Sequence, residues 1–142
     1  MPASARRSAL LVDTSVAVAL TVADHEHHES TFRRLAGQRL GLSGHAAFET
    51  FSVLTRLPPP ARRDPATVAR LLAATFPNST FLNDRAAASL RSELGPIGIA
   101  GGAVYDALVG AAAKESGRTL ATRDRRALET YRALGVDVEL LP

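Results

Sequence analysis

Short apolar blocks of strand length alternate along this chain with longer segments whose apolar residues recur at helical spacing. Ser8 to Val12 reads as a short buried strand, followed by a helical run from Thr14 and an amphipathic helix from about Asp24 to Leu35 that Gly37 closes. Leu40 to Ser43 reads as a second strand. Gly44 leads into a helix over His45 to Leu57, which Pro58-Pro59-Pro60 ends because proline has no amide to donate. Asp64-Pro65 opens a further helix through Thr75, with the aspartate as cap and the proline in the first turn. Thr80 to Leu82 is strand-like, Asp84 to Leu94 is helical, and Gly102 to Ser116 is a helix stopped by Gly117. Thr119 to Thr122, Asp124 to Leu134 and Val136 to Leu140 complete the pattern as strand, helix and strand.

This rhythm predicts an α/β domain with a parallel sheet and helices on both of its faces, since parallel neighbours need crossovers and the crossover helices cover the sheet. With 142 residues, 46% of them hydrophobic, the chain has enough apolar surface for one core, and residues 1–142 read as a single domain without internal repeats. Two stretches invite a membrane reading. Arg6 and Arg7 followed by ALLVDTSVAVAL have the outline of a signal peptide, but Asp13 interrupts the apolar run. Leu94 to Ala113 has the length of a span, yet it carries Gly95-Pro96, Gly98, Gly101-Gly102 and Asp106, so it reads as a loop and a small-residue core helix. No membrane association is expected. The absence of cysteine excludes a disulfide framework, a thiolate zinc site and a cysteine nucleophile, and it fits a reducing, cytoplasmic compartment.

The chemistry lies in four acids: Asp13 in LLVDTS, Glu49 in AAFETF, Asp106 in AVYDALVG and Asp124 in LATRD. Between Glu93 and Lys114, Asp106 is the only charged residue, and its helical neighbours are Gly102, Ala103, Val109 and Gly110. Isolated acids in apolar settings are tolerated mainly when paired or bound to a cation. Asp13 and Asp124 each follow a strand, where sites form in open parallel sheets. Glu49 and Asp106 lie in helices, and the sequence does not show whether they face the same point. Carboxylates held together repel, and a hard divalent cation with oxygen ligands relieves that repulsion, Mg²⁺ in the first place and Mn²⁺ as a substitute. Each acid also has a plainer reading: Asp13 and Asp124 as helix caps, Glu49 on a half-exposed helix side, and Asp106 as a carboxylate in mid-helix. Thr14 and Thr122 stand next to two of the acids and are candidates to orient carboxylates through their hydroxyls.

The 17 basic residues exceed the 14 acids, and all but Lys114 are arginine, whose fork suits phosphate contacts. Arg123, Arg125 and Arg126 flank Asp124 and are the first candidates for contacts to the phosphates of a polyanion, with Arg62 and Arg63 behind them. His25, His27 and His28 lack the spacing of a zinc helix and read as a solvated helix start. Phe48, Phe51, Phe76 and Phe81 sit in apolar contexts and predict no exposed series for base stacking.

Together, LLVDTSV, GHAAFETFSVLTRLPP, GGAVYDALVGAAA and TLATRD resemble the acidic quartet of the PIN-domain ribonucleases, most closely the VapC toxins of bacterial toxin–antitoxin pairs. The resemblance runs from Leu10 to about Leu140. It implies a three-layer sandwich with about five parallel strands in the order 3-2-1-4-5, a Mg²⁺ or Mn²⁺ site on Asp13, Glu49, Asp106 and Asp124, hydrolysis of RNA to 5′-phosphate and 3′-hydroxyl ends, a homodimer and a VapB-type antitoxin. Two further readings stand beside it: a PIN nuclease of RNA maturation without a toxin role, and a non-catalytic α/β metal-binding signalling module. A receiver-type signalling domain would need adjacent acids after its first strand, whereas Asp13 is followed by Thr14.

Overall fold

The structure is a computed structural model that describes residues 9–142, so Arg6 and Arg7 lie outside the described residues. Strand β1 (Leu10–Val12) is followed by α1 (Thr14–Thr21), α2 (His28–Leu35), β2 (Leu40–Leu42), α3 (Ala46–Thr55), α4 (Pro65–Thr75), α5 (Asp84–Ile97) and α6 (Ala103–Ser116). Then come β3 (Leu120–Thr122), a 3-10 turn over Arg125–Ala127, α7 (Leu128–Ala133) and β4 (Val138–Leu140). All ladders are parallel, in the order β2-β1-β3-β4. No helix among the described residues is long and apolar enough to cross a membrane.

Strand alternation explains the layers. Leu10 and Val12 of β1 point into a core shared with Val16, Leu35, Leu54, Val68 and Phe76, while Leu11 points to the other face and packs with Leu90, Val109, Leu120 and Tyr131. Both faces of β1 are therefore dry, as a central parallel strand requires. Helices α1 to α4 cover one face and α5 to α7 the other. Asp64 caps α4 through Thr67 N at 2.9 Å, with Pro65 in the first turn. Gly117 ends α6 in the left-handed region at φ 70°.

Three sequence expectations are corrected. Among the described residues the sheet has four strands, not five: of the segment expected as strand Thr80 to Leu82 only Thr80 makes an isolated bridge, to Ser43, and Pro77 just before it makes another, to Gly41. It occupies the expected place beside β2, but Leu42 N donates to the Ser79 hydroxyl at 2.9 Å instead of a backbone carbonyl, and Asn83 already caps α5. The approach is close enough that a Cβ on Gly41 would fall 2.1 Å from Asn78 O. Second, α2 starts at His28 and not at Asp24, because two tight turns, His25 N to Val22 O and His28 N to His25 O, use the intervening residues. Third, Asp106 is in the first turn of α6 rather than mid-helix.

Candidate active site

Asp13 leaves the carboxyl end of β1 and is 4% exposed. Its Oδ1 accepts from Ser15 Oγ at 2.6 Å and Val16 N at 3.3 Å, and its Oδ2 accepts from Thr122 Oγ1 at 2.5 Å and Tyr131 Oη at 2.9 Å. Two of these hydroxyls are themselves oriented. Arg123 N donates to Ser15 Oγ at 2.9 Å and Asp124 N donates to Thr122 Oγ1 at 3.0 Å, so both hydroxyl protons are left for Asp13. Four donors suit an ionised carboxylate. Burial opposes them and is the larger effect, so the Asp13 carboxyl titrates above the ordinary aspartate range, with Ser15, Thr122, Tyr131 and Val16 pulling it back. Burial also holds the Tyr131 phenol far above its ordinary value, so it remains a donor.

The other acids arrive from separate elements. Glu49 is exposed on α3, and its Oε1 accepts from Thr14 Oγ1 at 2.5 Å. Asp124 follows β3 and caps the 3-10 turn, its Oδ1 accepting from Arg126 N at 2.9 Å. Asp106 is half-buried in α6. Burial first, then the charges of Asp124, Asp13 and Glu49, push its carboxyl above the ordinary range, against a smaller pull from Arg126. The helix N-terminus beneath it favours a carboxylate and does not cancel those effects.

All four acids line one cavity of about 220 Å³, together with Thr14, Ser15, Val109 and Tyr131. It opens at the carboxyl ends of β1 and β3, the sheet edge at which α/β sites form. The donor set fits a hard divalent cation: four carboxylates, no nitrogen or sulfur, and repulsion already felt at Asp106. Among the described residues, no group of three histidine, aspartate or glutamate side chains is closed around a single point, so the acids form an open rim rather than a finished cage.

Beside this cavity runs a larger groove of about 630 Å³ that shares Thr14, Ser15 and Asp124 with it and carries Arg123, Arg125 and Arg126. Arg125 and Arg126 are exposed and Arg123 is half-buried. Arg62 and Arg63 are engaged elsewhere, donating to the carbonyls of Leu57 at 2.8 Å and Thr21 at 3.0 Å. The aromatic expectation is also corrected. Phe76 is buried, but Phe48 and Phe81 are 64% and 54% exposed and meet each other, and Tyr105 is 55% exposed and stacks on His45 at 5.2 Å. Phe48 stands on α3 and Phe81 in the loop before α5, so each covers the other at the surface instead of entering the core.

Ser15 and Tyr131 were not singled out from the sequence. Ser15 stands two residues after Asp13, a spacing at which a hydroxyl reaches back to a cap carboxylate. Tyr131 carries no local signal that separates it from an ordinary core tyrosine.

Comparison with known proteins agrees with this geometry. The family model described as PIN domain matches residues 10–133. Ribonuclease VapC27 of Mycobacterium tuberculosis is 47% identical over 129 residues, 91% of this chain and 94% of that protein. Ribonuclease VapC40 of the same organism is 48% identical over 130 residues, 91% of this chain and 96% of that protein. Among solved structures, VapC20 of M. tuberculosis, a toxin that cleaves the sarcin-ricin loop, superposes with a TM-score of 0.70 at 22% identity, covering 94% of this chain and all of that one. The DNA-bound VapBC of Salmonella typhimurium superposes with a TM-score of 0.64 at 19% identity, covering 96% of this chain and all of the matched chain. At those identities the structures bear on the fold, while the curated relatives bear on the family: the chain belongs to the PIN-domain family, in its VapC ribonuclease branch.

Proposed function

We propose that this chain is a Mg²⁺-dependent endoribonuclease, with Mn²⁺ as a substitute, and the toxin of a VapBC-type pair acting in the cytoplasm. One observation carries the reading: Asp13, Glu49, Asp106 and Asp124, brought from four separate segments, line one cavity at the carboxyl edge of the sheet beside an arginine groove. The names of the curated relatives support ribonuclease chemistry. Asp13 and Asp106 are the principal ligands in this proposal, with Glu49 and Asp124 positioning water or supporting a second ion. When bound, a divalent cation supplies an acidified water and a counter-charge for the scissile phosphate.

The protein's own residues do the rest. Ser15, Thr122 and Tyr131 fix Asp13 in one rotamer, which preorganises the site before substrate arrives. Thr14 tethers Glu49 by Oε1, and a carboxylate at the exposed rim is placed to take the proton released from the attacking water. Arg123, Arg125 and Arg126 hold the RNA backbone. In-line attack of water on phosphorus with rupture of the P–O3′ bond, O3′ leaving with a proton, gives 5′-phosphate and 3′-hydroxyl ends.

For the toxin role, the partner is a VapB-type antitoxin. The VapBC and FitAB assemblies among the structural neighbours support that choice. A groove of about 360 Å³ between α1, α2 and α4, lined by Leu20, Phe32, Leu35 and Leu71, offers apolar surface to such a partner. An antitoxin arginine aimed at the four acids would compete with substrate through charge-assisted bonds. The exposed face of Phe48, Phe81 and Tyr105 supports the homodimer.

Asp106→Asn removes charge at nearly constant volume. The variant is expected to be folded and to lose Mg²⁺-dependent cleavage of total cellular RNA, with wild-type cleavage stopped by EDTA. Full activity in either case refutes the mechanism. Expression of the wild type alone is expected to slow growth, and co-expression of the neighbouring small reading frame to restore it. Unimpaired growth would leave a nuclease of RNA maturation.

A further inference from the structure

The 630 Å³ groove is lined by more than the arginines after β3, one of which, Arg123, donates to Thr31 Oγ1 of α2 at 3.4 Å. The loop between α1 and α2 also lines it, through His25, Glu26 and His27. Three histidines crowd this loop, and the structure separates their roles. His28 is half-buried, and its Nδ1 lies 2.9 Å from Ala19 O, so that ring ties α2 back to α1. His27 is exposed, and its Nε2 stands 3.6 Å from Glu26. His25 is different. Its backbone is pinned by turns on both sides, and its Nδ1 accepts from His27 N at 3.0 Å.

That last bond fixes the tautomer. An imidazole whose Nδ1 accepts carries its proton on Nε2, and protonating Nδ1 would break the loop's own bond. Burial, followed by His27, Arg123 and His28, pushes the ring below the ordinary histidine range, against a pull from Glu26. We infer that His25 is an RNA-binding residue: its neutral Nε2–H donates to a backbone phosphate oxygen of a single-stranded substrate lying in the groove that the α1–α2 loop and Arg123 both line. The groove's continuity with the acid cavity through Thr14, Ser15 and Asp124 places this contact on nucleotides adjoining the scissile bond. Its three arginines against Asp124 and Glu26 give it the charge that a polyanion follows. His25 thus adds an uncharged donor to a groove whose other phosphate donors are charged guanidinium forks.

The inference rests on the nuclease reading, and the test separates the two. The probe is a fluorescein-labelled single-stranded RNA of mixed sequence, bound by the full chain carrying Asp106→Asn so that it is not cut. His25→Ala should weaken binding about five- to tenfold, less than the more than tenfold that a buried hydrogen bond to a charged group is worth, because the site is partly exposed. His25→Gln, whose amide donor reaches the Nε2 position, should bind within about twofold of the parent. His25→Asn keeps an acceptor near Nδ1 but has no distal donor, so it should behave like alanine. Because the donor is neutral, the salt dependence of binding should be unchanged in all three, whereas Arg123→Gln should lower the slope by roughly 0.7. Unchanged affinity in His25→Ala overturns the inference. So does rescue by asparagine and not by glutamine, which would make His25 a loop-holding residue only. A slope lowered by His25→Ala would show a cation and overturn the neutral donor. If the parent binds no RNA and the wild type cuts none, the nuclease reading falls and the groove contact with it.

Discussion

Tyr131→Phe isolates the hydroxyl that reaches Asp13 from beneath. Tyr131 is 1% exposed and its Oη lies 2.9 Å from Asp13 Oδ2, so the substitution deletes one buried bond to a carboxylate while keeping the ring that fills the core beside Leu11 and Val109. No cavity large enough to matter is created. The lost bond is charge-assisted, which is worth about 1.5–3 kcal/mol, and relief of the hydroxyl's own desolvation returns part of it. A net loss of about 1–2 kcal/mol at neutral pH is expected, or roughly 3–6 °C in Tm for a domain of this size.

The pH dependence gives the stricter test. The hydroxyl favours ionised Asp13, so its removal raises further a carboxyl that burial has already raised. The cost of the substitution is therefore smallest in acid, where Asp13 is protonated in both proteins, and grows as pH rises through the ionisation of Asp13. Urea unfolding of wild type and variant across mildly acidic to neutral pH, in EDTA, measures it. A change within about 0.5 kcal/mol at neutral pH, or a cost that grows toward acid, refutes the assignment of this bond.

Two further outcomes follow from the same contacts. Asp106 has a folded pKa above its unfolded value, so its contribution to stability is present below the unfolded pKa and lost as pH rises through the folded one. Asp106→Asn should then be more stable than wild type at neutral pH without metal, by on the order of 1 kcal/mol or less for a half-exposed group, with the advantage shrinking in acid; equal pH profiles in thermal unfolding would contradict this. Gly110→Ala would set a Cβ 2.9 Å from Tyr131 Cδ1 and 3.2 Å from Val136 Cγ2, so a loss of about 1–3 kcal/mol is expected in denaturant unfolding, with cleavage weakened through the displaced tyrosine.

What the sequence made legible was local. The blocks that became β1, β2 and β3 are dry on both faces, so composition alone marked them, and Asp64-Pro65 and Gly117 declared their helix ends by the backbone each requires. The third strand failed because Ser79 supplied by side chain what a ladder supplies by backbone. The start of α2 failed because consecutive turns held the chain where a cap was expected. The site was legible as four acids in four motifs, but their convergence was not, since the facing of α3 and α6 is set by packing across the sheet. Tyr131 was hidden for the same reason: its partner is Asp13, on the opposite side of β3 in sequence and a hydroxyl's length away in space.

The contacts also divide the four acids mechanically. Ser15 and Thr122 each bridge Asp13 to the backbone amide of residue 123 or 124, so the first and last acids are joined by two short relays as well as by the ladder between β1 and β3. Tyr131 extends that unit to α6, because its ring packs against Gly110, one turn beyond Asp106. Asp13 and Asp124 are thus joined by hydrogen bonds and Asp106 to them by packing, so the three sit on one packed body. Glu49 does not. It is exposed on α3 and tied to the others by the single bond from Thr14. In the proposed reaction, charge placement needs fixed members and proton transfer needs a group that solvent reaches and that tolerates small shifts, so Asp13 and Asp106 on the packed body suit the principal ligands and the tethered Glu49 suits the water.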